Sequence, residues 1–96
     1  MSGQIRITPE AMRDRAGDFR NARDSYEAVI TTMTGLIAAL QDEWEGQASQ
    51  QFALQFESLK PTFDNMHQLI TDIAQQCDDT ANALEQLDDD IAKKFM

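Results

Sequence analysis

Two unbroken heptad patterns run along this chain of 96 residues and meet at Trp44-Glu45-Gly46. The first steps through Met12, Ala16, Phe19, Arg23, Tyr26, Ile30, Met33, Ile37, Leu40 and Trp44 in alternating fours and threes. The second steps through Phe52, Phe56, Leu59, Phe63, Met66, Ile70, Ile73, Cys77, Thr80, Leu84, Leu87 and Ile91 in the same way. That alternation is the coiled-coil period, and it commits both segments to helix. Gly46 marks the break, because glycine alone takes left-handed backbone without a Cβ penalty, and Trp44 offers a large ring to pin the bend. The pattern predicts an all-α, two-helix antiparallel hairpin in a single domain, with helix 1 over about 9–42, a turn at about 43–47 and helix 2 over about 48–94.

Local signals sharpen the ends. Thr8-Pro9-Glu10 opens helix 1 with a capping hydroxyl, a proline suited to the first helical position and an acid that complements the helix dipole. Pro61 falls inside the second pattern without shifting its phase, so it predicts a kink rather than an end. Helix 1 is roughly 50 Å long and helix 2 roughly 70 Å at the α-helical rise, so helix 1 should run out near residue 80 of its partner. Leu84, Leu87, Ile91 and Phe95 continue the apolar stripe past that point, which marks an uncovered docking surface.

Apolar residues also lie off the two seams, at Val29 and Leu36 in helix 1 and Leu54 and Leu69 in helix 2. Two helices bury one stripe each against one another, so this surplus asks for a third and fourth helix. The expected solution is a homodimer closing into a four-helix bundle. Phe19, Tyr26, Ile30, Met33, Ile37, Leu40, Phe52, Phe56, Leu59, Phe63 and Ile70 are the expected core and dimer seam.

Composition narrows the functional classes. The net charge is −9, divided as about −2 before Trp44 and about −7 from Trp44 onward. Nucleic-acid binding needs clustered Lys and Arg, and adsorption to an anionic membrane surface needs the same, so both are disfavoured. No apolar run approaches the ~20 residues of a membrane helix, and the N-terminus shows no signal-peptide pattern. Cys77 is the only cysteine and sits on the seam, which suits inert packing. His67 has no second His or Cys at ligand spacing, and Asp88-Asp89-Asp90 lacks the glycine and distal glutamate of a calcium loop. No metal, cofactor or catalytic constellation is expected, and a hairpin of this size leaves no room for an enzyme pocket. The chain should act by association.

The central Trp44-Glu45-Gly46 in a helical hairpin of about a hundred residues resembles the WXG-hundred (ESAT-six-like) proteins, substrates of the type VII secretion system. A second motif resembles the C-terminal pattern of the Firmicutes branch: hydrophobic Leu84, acidic Asp88, and hydrophobic Ile91 and Phe95. The tyrosine-plus-acid export signal of the actinobacterial branch is absent, since the sole tyrosine is Tyr26. The resemblance implies export without a cleaved signal peptide, as a folded dimer, by an FtsK/SpoIIIE-type ATPase. It implies a virulence-associated or helper role outside the cell, reached through protein–protein contact. A cytoplasmic adaptor that pairs with a larger toxin carrying a related helical hairpin is the competing reading. Trp44 and Glu45 are either recognition residues or packing for the bend. Leu84, Asp88, Ile91 and Phe95 are either an export signal or ordinary dimer packing.

Overall fold

A computed structural model describes residues 7–44 and 46–94. Helix α1 spans Pro9–Glu43, α2 spans Gln47–Ser58 and α3 spans Lys60–Lys94. Helix α1 doubles back through Trp44–Gly46, and α2 and α3 return alongside it as one kinked rod. The hairpin measures 76 × 25 × 21 Å, with a radius of gyration of 21.8 Å. A compact domain of this length would have about 12 Å.

The start of α1 follows from its first residues. The Thr8 hydroxyl accepts a hydrogen bond from the Ala11 amide at 3.0 Å, and Pro9 occupies the first turn, where its missing N–H leaves no acceptor unserved. At the far end the Trp44 amide still donates to the Leu40 carbonyl at 2.8 Å, while Trp44 itself is already extended.

Gly46 plays a different part from the one its sequence position suggests. Rather than terminating α1 in a left-handed cap, it opens α2 as the N-cap, with φ 123° and ψ 179°. This region is accessible essentially to glycine alone, because a Cβ would collide with the adjoining backbone. No neighbouring residue crowds the position, so the requirement for glycine is purely conformational.

The kink predicted from Pro61 lies at Leu59. Proline supplies no N–H for the Glu57 carbonyl, and the Leu59 amide tightens onto the Phe56 carbonyl at 3.0 Å. Leu59 stays close to helical geometry at φ −89° and ψ −7°, and the Phe63 amide reaches back to the Leu59 carbonyl at 3.1 Å. The rod therefore bends without stopping, and the Phe56 and Phe63 rings pack across the bend with centroids 5.6 Å apart.

The inner seam departs from the predicted one along α3. The fully buried apolar residues are Ala16, Ala74 and Ala81, each at 0 % exposure. His67, Ala74 and Ala81 are seven residues apart and form the inner line with Phe63, Ile70, Cys77 and Leu84. Met66, Thr80 and Leu87 of the expected seam point outward instead. Close approach of two helices selects the smallest side chains at the contact, which turns the bulkier stripe away from it.

Helix α1 also reaches further than a residue-for-residue count from the turn predicts. Arg13 contacts Asn82 and Glu85, so cover extends past residue 80 and leaves Leu84 half-buried. The offset is set at the turn, where Trp44 already meets Phe52, eight residues further on. The uncovered stripe begins only with Leu87 and Ile91.

Candidate functional site

The seven-residue recurrence gives the hairpin two unlike flanks. On the first flank, half the length is held by polar pairs. Arg13 donates to Glu85 at 2.5 Å and to Asn82 at 3.0 Å, and Arg20 donates to Asp78 at 2.7 Å. Arg23 reaches the Thr71 hydroxyl at 3.4 Å, and Glu27 lies against His67 Nδ1 without hydrogen-bond alignment. Arg13, Arg20 and Glu27 are seven apart on α1, as are Thr71, Asp78 and Glu85 on α3, so the pairs form a ladder that sets the register of the hairpin. The hydrogen bond from Arg13 holds the Glu85 carboxyl below the usual carboxylate range, opposed by partial desolvation. The same bond raises the Arg13 guanidinium.

The second flank is apolar and open. Val29 is 54 % exposed, Leu36 59 % and Leu69 51 %, and Met33, Leu40, Phe52, Leu59, Met66 and Leu87 are exposed as well. Of the expected seam, Tyr26, Ile30, Ile37, Phe56, Phe63 and Ile70 turn partly inward, whereas Phe19, Met33, Leu40, Phe52 and Leu59 are exposed. No large side chain among the described residues is fully buried. The accessible surface is 7495 Å², against about 5,500 Å² for a compact monomer of 10.8 kDa.

At the bend, Trp44 packs on Phe52 with ring centroids 6.3 Å apart and planes tilted by 57°. The indole remains 42 % exposed. Ser49 is buried in the first turn of α2, a small residue that lets α2 close onto the end of α1. Glu45 lies outside the described residues, as does Phe95 of the C-terminal motif. Leu84, Asp88 and Ile91 are in place on α3, with Leu84 half-buried and Asp88 and Ile91 exposed.

Sequence reasoning also missed a groove. On the ladder flank, near the bend, α1 and α2 enclose an open groove of about 500 Å³ between Thr34, Ile37, Ala38 and Gln41 on one side and Gln50, Ala53, Leu54 and Phe56 on the other, with Glu57 and Lys60 at its end. The signal was the absence of charge from residues 28–41 and 46–56. Among the described residues, no His, Cys, Asp and Glu side chains cluster as a metal site, and no helix is long and apolar enough to cross a membrane.

Known proteins share this arrangement. The profile of a family described as "WXG100: Proteins of 100 residues with WXG" matches residues 4–89. Protein YukE of Bacillus subtilis is 40 % identical over 95 residues, covering 99 % of this chain and 98 % of YukE. Type VII secretion system extracellular protein A of Staphylococcus aureus is 29 % identical, covering 95 % and 94 %. The crystal structure of Geobacillus thermodenitrificans EsxA superposes with a TM-score of 0.80 at 34 % identity, over 96 % of this chain and 99 % of EsxA. That of EsxB, a secreted protein of Bacillus anthracis, gives 0.79 at 25 % identity over 91 % and 99 %. With the profile spanning nearly the whole length and Trp44 and Gly46 shaping the bend of an all-helical hairpin, this chain belongs to the WXG100 family.

Proposed function

We propose that this protein is a type VII secretion substrate that leaves the cell as a folded homodimer and acts by protein–protein contact. The observation that carries the association is the open apolar flank, in a chain that buries no large side chain fully among its described residues. The surplus over a compact monomer, roughly 2,000 Å², lies in the range that one partner contributes to an obligate homodimer, although the rod shape accounts for part of it. The extracellular naming of the Staphylococcus aureus relative supports the route. Before export the dimer is cytoplasmic, and no cleaved signal peptide is involved.

Leu84, Asp88, Ile91 and Phe95 form the element that an FtsK/SpoIIIE-type ATPase engages. Asp88 and Ile91 project beyond the stretch that α1 covers, so they are accessible while the hairpin stays closed. Cutting the chain after Leu84 is expected to abolish export from producing cells and to leave the dimer intact in sedimentation. Continued export of the shortened chain would remove these residues from that role. A monomer at micromolar concentration would refute the dimer. Outside the cell the protein serves as a virulence-associated effector or a secretion helper, with Trp44 exposed at one tip for recognition.

A further inference from the structure

We infer that the first turn of α2 is a binding site for a carboxylate carried on a short apolar body, as in a fatty acid or the C-terminus of a peptide. The bend requires glycine at position 46, in a conformation closed to other residues, and that is the position where a helix ordinarily carries a capping oxygen. Gly46 has none to offer, and no side chain caps α2. The amides of Gln47 and Ala48 find no acceptor among the described residues, and the first bond of the helix, from the Gln50 amide to the Gly46 carbonyl, is long at 3.4 Å. Open amides at the positive end of a helix dipole attract an anion.

Ser49 points to a ligand independently. It is the only buried polar residue among those described, at 5 % exposure, and its hydroxyl bonds to no described residue. A hydroxyl so placed gives up water and gains nothing in return unless a ligand meets it. Its oxygen is not sealed in, because His67 Nδ1 is the only fully enclosed side-chain polar atom without a partner among the described residues. Ser49 opens onto a pocket of about 280 Å³ that it shares with Gln41, Trp44, Gly46 and Gln50, all uncharged. Two features then choose among anions. Asp42 and Glu43, in the last turn of α1, and Glu45 adjoin the site in sequence and penalise negative charge, so a singly charged carboxylate is favoured over a doubly charged phosphate. The pocket is larger than a carboxylate alone, and the exposed Trp44 indole offers a wall to an apolar body behind the charge. Residues 41–50 of one chain build the site, so it depends on neither the dimer nor the export route.

Trp44 is the only tryptophan, so its fluorescence reports on the pocket directly. Titration of the full-length protein with hexanoate and with N-acetyl-leucine, at constant ionic strength, is expected to give a saturable change with Kd on the order of 10 mM, as probes of this size allow. Hexanamide and N-acetyl-leucinamide, which lack the charge, should not saturate. A response to hexanoate alone assigns a fatty acid, and one to N-acetyl-leucine alone a peptide end. Amide NMR shifts are expected at Gln47, Ala48 and Ser49. Ser49→Ala should weaken binding about threefold or more, the loss of one hydrogen bond, with circular dichroism unchanged. Ser49→Asp, whose own carboxylate takes the site, should abolish it. Equal binding of acids and amides, an unchanged Kd in Ser49→Ala, saturation that appears only in Glu45→Gln, or no saturation at tenfold the expected Kd would each overturn the proposal.

Discussion

Arg13, Arg20 and Glu27 repeat every seven residues on one flank of α1, and Thr34 and Gln41 carry on the same line, yet the two stretches behave in opposite ways. Away from the bend, the line is occupied by ionic and polar pairs to α3 over an alanine seam. Near the bend it opens into a groove, and the helices are held by the Trp44–Phe52 and Phe56–Phe63 contacts. The first half spends its side chains on joining the chain to itself. The second half, nearly free of charge, leaves its side chains open to solvent along the groove. Polar locking and open surface thus lie at opposite ends of this hairpin rather than in separate layers.

The largest expected effect comes from striking the open apolar flank. Leu36→Asp or Leu69→Asp should weaken dimerisation by about 2 kcal/mol or more, roughly thirtyfold in Kd by sedimentation equilibrium, as central interface anchors do. An unchanged Kd would move the dimer to another face. Next, the same enlargement should matter differently in the two halves. Ala74→Leu should cost about 1–3 kcal/mol in thermal unfolding because it forces the seam apart, whereas Ala53→Leu should cost less than about 1 kcal/mol because it enters open space. Equal costs would erase the contrast.

Gly46→Ala should cost about 1–3 kcal/mol through backbone strain alone, visible as faster amide exchange around the bend with little change at Ala81. Arg20→Gln should cost about 0.2–1 kcal/mol, and less in high salt, since its bridge to Asp78 is partly exposed. The smallest effect is in pH. The folded-state value of Glu85 is lowered, so its contribution is fully present above the ordinary carboxylate range and is lost as pH falls through the lowered value. Amide protection near Glu85, measured relative to the intrinsic exchange rate at each pH, should therefore fall in acid, and Arg13→Gln should flatten that fall.

Much of this architecture is legible from residue spacing. The heptads give two helical rods, Thr8-Pro9 gives the start, and Gly46 gives the bend. Three things escape a reading of hydrophobic pattern. The inner line of α3 runs through His67, Ala74 and Ala81, which carry too little apolar bulk to stand out beside Met66, Ile73 and Leu87. The ladder is encoded at the seven-residue spacing of Arg13 and Arg20 and of Asp78 and Glu85, but only the pairing of two distant segments reveals it. The groove arises from small side chains meeting across the bend, a property of the packed pair that neither segment shows alone.

The alanine contact has one more consequence, for girth. With Ala16, Ala74 and Ala81 fully buried between the helices, a single folded chain has a cross-section of 25 × 21 Å over a length of 76 Å. A second copy laid alongside broadens it in one direction and leaves the other almost unchanged. On the proposed route, a needle of this shape would travel end-on without unfolding, and leucine at any of the three alanines would widen it.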